Sequence, residues 1–123
     1  MKGLRTFSIL IISLFLLVVV APASFAAKKG DPKAGQKTYN TLCTACHGTT
    51  GKGDGPAAAA LPVKPKNLAD AKFMKTLTDE HLFKVIKEGG TSVGLSQLMA
   101  PWGGQIDDQG IWNVVSYIRT LAK

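Results

Sequence analysis

The feature that most constrains this chain is the pentapeptide Cys43-Thr44-Ala45-Cys46-His47. It holds both cysteines of the protein and one of its two histidines. Two cysteines cannot make a disulfide-dense scaffold. Three places apart at the end of a helix, they project toward one side, with the histidine beside them. A dithiol redox pair also uses C-x-x-C, but in a βαβ setting, and no alternating strand pattern is present here. A structural zinc site needs four ligands. The pentapeptide offers three, adjacent Cys46 and His47 fit poorly into one tetrahedron, and His81 is the one other histidine. A plain disulfide remains the simplest alternative.

The reading with a specific chemical reason is the attachment signature of c-type haem, C-x-x-C-H. Each thiol can add to one vinyl group of a porphyrin. His47 is then held beneath the iron and can ligate it through Nε2. Covalent attachment also keeps haem on a protein too small to enclose it.

The first residues bear on the same question. Lys2 and Arg5 precede an uncharged run from Phe7 to Val20, Pro22 breaks it, and Ser24-Phe25-Ala26 places small residues at the −3 and −1 sites of a cut before Ala27. This is the grammar of a secretory signal over residues 1–26. The run has 14 residues, short of the about 20 that a spanning helix needs. The alternative is an uncleaved anchor, since no further charge appears until Lys28. Cleavage leaves a single domain over 27–123, and a domain of that size buries only about 65% of its unfolded surface. Such domains often lean on a disulfide, metal or cofactor. Outside the cytoplasm idle thiols tend to oxidise, so something must occupy the two cysteines.

The rest of the chain reads as helices separated by Gly/Pro loops. Asp31 and Pro32 suit the N-cap and first position of a helix. Gly35, Tyr39, Leu42 and Cys46 form one helical stripe, so this helix is expected to end near Cys46. Thr49 to Asp70 reads as a loop admitting one helical turn at Ala57–Leu61; a loop that long in a small domain usually wraps something. Thr78 should cap a second helix, with Asp79 and Glu80 in its first turn, Leu77 and Leu82 as a staple, and a left-handed C-cap at Gly89. Its expected buried stripe is Leu82, Val85 and Ile86. A loop over Thr91–Gly104 precedes a last helix capped by Asp107, with Ile111, Val114, Val115, Ile118 and Leu121 as its buried face.

Taken together, the Asp31–Cys46 segment, the CTACH site, GKGDGP at Gly51–Pro56, LMAPWGG at Leu98–Gly104 and the last helix with Tyr117 resemble the small single-haem class I cytochromes c. The resemblance covers nearly all of residues 27–123. It implies an all-α cytochrome c fold, with three main helices and long Gly/Pro loops around one covalent haem c. It also implies a crossing of the first and last helices at Gly35, Tyr39 and Tyr117. Candidates for the sixth iron ligand are Met99, Met74 and His81; the segment Met99-Ala100-Pro101-Trp102-Gly103 resembles the family's ligand loop. The resemblance thus makes His47 and Met99 the metal ligands and Cys43, Cys46, Pro56 and Trp102 the haem-binding residues. A loop carbonyl near Pro56 would accept from His47, and Trp102 would cover a haem edge. Trp102, Lys64 and Lys66 are candidate propionate donors. Met74 is expected to line the pocket and His81 to lie at a boundary or on the surface.

The formal charge is +7, falling to +5 once Lys2 and Arg5 leave, and apart from Arg119 every remaining basic residue is a lysine. Lysines around a haem edge would steer an acidic redox partner. No nucleic-acid recognition motif, Ser/His/Asp arrangement or carboxylate pair is recognised. The expectation is therefore an exported, periplasmic electron carrier with redox-protein partners, no small-molecule substrate and no enzymatic activity of its own. The rival expectations are a haem-bearing or membrane-tethered subunit of a larger respiratory oxidoreductase, and a five-coordinate haem sensor or enzyme.

Overall fold

A computed structural model describes residues 30–123, so the expected signal or anchor over residues 1–26 lies outside the described residues. Helix α1 spans Pro32–Leu42, α2 Thr44–His47, α3 Ala71–Met74, α4 Asp79–Glu88 and α5 Asp108–Leu121. Two 3₁₀ turns, Ala58–Ala60 and Gly90–Val93, complete the order, and no strand occurs among the described residues. Three long helices and Gly/Pro loops match the all-α expectation.

Each long helix begins where the sequence places a cap. The Asp31 carboxylate accepts from the Lys33 N–H, the Thr78 hydroxyl from the His81 N–H, and the Asp107 carboxylate from the Gly110 N–H. These bonds satisfy first-turn donors that a helix cannot pair internally.

Helix α1 stops earlier than its apolar stripe suggests. The Cys43 N–H still bonds the Tyr39 carbonyl at 2.9 Å, but Cys43 itself has φ −109° and ψ −28°, and a separate turn, α2, carries Thr44–His47. The Thr44 hydroxyl bonds back to the Asn40 carbonyl, a contact that bends helices. Gly89 also departs from expectation. Its φ of 84° is positive, yet its ψ of 167° is extended rather than left-handed helical. Essentially only glycine adopts this region. It turns the chain so that the Gly90 N–H reaches the Met99 carbonyl at 2.9 Å.

Helices α1 and α5 form the principal packing pair. Gly35 faces the Asn113 backbone so closely that an added Cβ would overlap the Asn113 carbonyl. One turn on, the rings of Tyr39 and Tyr117 sit tilted at 59° with centroids 5.1 Å apart. Tyr39, Met74, Ile111, Val114 and Val115 are the largest fully buried side chains. Leu82, Ile86 and Ile118 join them, whereas Val85 is only half-buried and does not complete the expected α4 stripe. Each such buried aliphatic is worth about 2 kcal/mol. The half-exposed Lys84–Glu88 pair at 4.0 Å is worth far less.

Arg119 adds a tie that the sequence reading missed. Its guanidinium donates to the carbonyls of Met74 and Leu77, each at 2.6 Å, and to Asp79 Oδ1 at 2.7 Å. It therefore staples α5 to the turn between α3 and α4.

Gly35→Ala is expected to cost about 3 kcal/mol, because backbone rather than a flexible side chain must move aside; a denaturation midpoint equal to wild type would contradict this. Arg119→Met should cost about 2 kcal/mol, read by the same measurement. Most of that loss should come from the two carbonyls, since the Asp79 side chain is 55% exposed.

Candidate functional site

Helix α2 presents Cys43, Cys46 and His47 within one turn, each half-buried, and the two thiols are not joined in a disulfide. The Gly48 N–H bonds the Thr44 carbonyl at 2.9 Å. The remaining carbonyls of a four-residue helix need outside donors. The following loop supplies them at alternate positions. The N–H groups of Gly53, Gly55 and Ala57 bond the carbonyls of His47, Cys46 and Ala45 at 2.8, 3.2 and 2.8 Å.

This pairing explains the G-K-G-D-G-P pattern. Gly51, Gly53 and Gly55 are buried, Gly51 against the side chains of Leu121 and Leu68 and the other two against backbone, while Lys52, Asp54 and Pro56 are exposed. A Cβ on Gly55 would overlap the carbonyls of Thr44 and Ala45. Alternating glycine in GKGDGP is the sign of this arrangement in the sequence, where it marks a loop and contributes to the family resemblance.

His47 Nδ1 is shut off from solvent and has no partner meeting hydrogen-bond geometry. Burial lowers the imidazole's affinity for a proton. The Lys66 main chain acts against that shift without closing a full hydrogen bond. The ring is therefore held neutral at neutral pH, the form that binds a metal. The main chain that bears on His47 is thus that of Lys66. Pro56 is exposed on the loop after Asp54.

The Cys43 thiol is pushed up to about 11, first by burial and then by neighbouring Cys46. A dithiol redox pair works by the opposite shift, which stabilises a thiolate. Among the described residues no three or more His, Cys, Asp or Glu side chains gather as a metal cluster. Both features weigh against the redox-pair and zinc alternatives.

The Met99 segment is anchored on the end of α4. The Trp102 and Gly103 N–H groups bond the Ile86 and Lys87 carbonyls at 2.9 and 3.0 Å. Those carbonyls would otherwise be orphaned at the helix end. Met99 and Trp102 are half-buried and pack on the same hydrophobic core as Cys43. Met74 is 1% exposed and lies within that core. His81 is half-buried in the first turn of α4. The Lys64 ammonium is engaged by the carbonyls of Ala58 and Ala59, and Lys66 is exposed. The structure therefore gathers Cys43, Met99 and Trp102 on one core and sets Pro56 on an exposed cleft beside Thr44 and Ala45.

These features fit a covalently held haem: two unpaired thiols at the required spacing, a neutral histidine with a buried orphan nitrogen, and an anchored methionine beside the same core. The all-α arrangement with this pentapeptide defines the class of c-type cytochromes. The sequence model for cytochrome c oxidase, cbb3-type, subunit III matches residues 30–118, and the chain belongs to that family of cytochrome c domains. Cytochrome c-554(547) of Halothiobacillus neapolitanus is 30% identical over 94 residues, spanning 75% of this chain and 98% of that protein. Among solved structures, the KustC0563 c-type cytochrome superposes with a TM-score of 0.60 at 25% identity, covering 72% of this chain and 98% of that one. A chain of the Kuenenia stuttgartiensis reducing HAO-like protein complex Kustc0457/Kustc0458 gives 0.62 at 27% identity, covering 75% of this chain but 44% of that one. The family carries covalently bound haem c and serves haem-based electron transfer.

Gly55→Ala should lower the ratio of haem absorbance to protein in purified material at least several-fold, because the Cβ strikes the backbone on which the cysteines stand. Gly104→Ala, where nothing lies within 4 Å of the new atom, should match wild type. Equal ratios for the two variants would contradict the clamping role of the 53–57 run.

Proposed function

We propose that this chain is a one-electron carrier in which Cys43 and Cys46 form the two thioethers of a single haem. His47, through Nε2, and Met99, through sulfur, would hold its iron. The carrying observation is the neutral, loop-clamped His47 beside two unpaired thiols. When bound, the haem supplies an iron that alternates between ferric and ferrous states. The chain's own residues hold, orient and insulate. The 53–57 run fixes the backbone of His47; the Gly90 N–H and the Ser96 carbonyl fix that of Met99, and the α4 carbonyls hold the following Trp102 and Gly103. Tyr39, Met74, Ile111 and Val115 are fully buried in the core on which Cys43 and Met99 pack. A thioether ligand is soft and neutral, favours ferrous iron and so raises the potential. With an imidazole and a thioether both holding the iron, no ligand position would be left for bond chemistry, so the chain would serve as a carrier rather than an enzyme.

Docking follows from the charge distribution. From Gly89 to Ile106 there is no charged residue, and Leu95 and Leu98 are exposed beside Met99. Lys84 and Lys87 precede this stretch and most of the other lysines lie between residues 28 and 75, where they steer an acidic redox partner. The leader over residues 1–26 supports export to the periplasm, and no described helix is long and apolar enough to cross a membrane. A second reading is a haem-bearing subunit of a larger oxidoreductase. It is favoured by the family's description and by the neighbour whose chain this one spans only in part.

Mass spectrometry of protein made in a host competent for haem attachment should show one haem per chain and cleavage before Ala27. The pigment should stay with the polypeptide in acidic acetone. Colourless protein, or pigment that extracts freely, would sink the proposal. Met99→Ala should lower the midpoint potential and let ferrous protein bind carbon monoxide; an unchanged potential would transfer the ligand role to Met74. Native mass spectrometry of material from the source cells separates the carrier, a free monomer, from the subunit, a stable complex.

A further inference from the structure

Tyr39 grips the CTACH segment at both ends. Its backbone carbonyl accepts the Cys43 N–H at 2.9 Å, and its hydroxyl donates to the Gly48 carbonyl at 2.8 Å, on the residue directly after His47. The side chain is fully buried, with its ring against Tyr117. A phenylalanine would fill the same space and keep the same ring contact, so packing alone does not call for a hydroxyl. Rescue of an unsatisfied carbonyl does not call for it either. The Gly48 oxygen already accepts from the Gly51 N–H at 3.2 Å. The phenol instead adds a second, shorter restraint on the peptide that follows His47, at a glycine with φ 77° and ψ 160°. Burial holds the phenol's pKa far above its ordinary value, so it remains a donor throughout the physiological range.

We propose that the Tyr39 hydroxyl is a positioning group for His47: by pinning the Gly48 carbonyl it sets the rotational orientation of the imidazole plane at the iron. This rests on the reading of His47 as axial ligand. Groups beyond a metal's own ligands routinely orient those ligands and tune the metal. Here the restraint acts through the main chain one residue on, and it complements the clamp that the 53–57 run places on the His47 carbonyl itself.

The test is Tyr39→Phe in the haem-loaded full-length protein, read by ferric electron paramagnetic resonance and by the spread of the haem-methyl proton resonances. Both report the orientation of the axial imidazole. Tyr117→Phe is the control, since it removes the hydroxyl of the ring partner and leaves the Gly48 contact in place. Tyr39→Phe should move the largest g value and the methyl spread, and shift the midpoint potential, while Tyr117→Phe leaves all three at wild-type values. Wild-type spectra from Tyr39→Phe, or equal shifts in both variants, would overturn the proposal. Should Tyr39→Phe fail to assemble, 3-fluorotyrosine incorporated into Tyr117→Phe, where Tyr39 is the one tyrosine left, changes the strength of the donor without removing it. It should move the largest g value and the methyl spread relative to unlabelled Tyr117→Phe, and unchanged spectra would again overturn the proposal. Failure of the underlying reading is recognised separately, by the absence of imidazole nitrogen coupling in pulsed resonance spectra of the wild type.

Discussion

The close approach of α1 to α5 at Gly35 is the constraint from which the rest of the molecule follows. Helix α1 carries the CTACH segment at its C-terminal end, and α5 begins just after the Met99 loop. The place where these two helices touch therefore relates the two halves of the site. Backbone against backbone leaves no room for even a methyl group. The crossing is thus held by hard contact, and the Tyr39–Tyr117 pair adds a large apolar contact one turn away. A domain with so few fully buried side chains gains much from such a rigid crossing, because few other contacts could restore the geometry.

Around that crossing, one device recurs. Helix ends leave carbonyls unpaired, and loops or side chains from elsewhere in the chain take them up. The 53–57 run serves α2, the residues after Met99 serve α4, and Arg119 serves the carbonyls of Met74 and Leu77. Each pairing turns a helix end into an anchor for a segment with little regular structure of its own. The long loops are therefore ordered by main-chain bonds, and the residues proposed to hold the haem sit on backbone bonded from two directions. That suits electron transfer, where a ligand set that moves little between oxidation states keeps the barrier to exchange low.

The proposed carrier and the proposed subunit differ in what surrounds the domain, not in the domain itself. Both need an insulated haem held by the same pentapeptide and a neutral face through which electrons pass. The curated relative is matched over almost its whole length, as is one structural neighbour, whereas the other neighbour is matched over less than half. The same fold thus occurs as a chain of about this size and as part of a longer one.

Much of this was written in the chain itself. The caps at Asp31, Thr78 and Asp107, the apolar periodicity of α5 and the C-x-x-C-H spacing are local, because a cap needs one side chain and a signature needs five residues. What remained hidden depends on which distant backbone lies nearby. The extended ψ of Gly89, with the Gly90 N–H on the Met99 carbonyl, and the pairing of the 53–57 run with the α2 carbonyls are decided by hydrogen bonds between segments that are not adjacent along the chain. So is the triple engagement of Arg119, a residue that in sequence is only another charge near a helix end. Local chemistry determined which elements form and which cofactor the cysteines call for. Only the tertiary structure decided which carbonyl meets which N–H, since that partner is selected by helix packing and not by its neighbours along the chain.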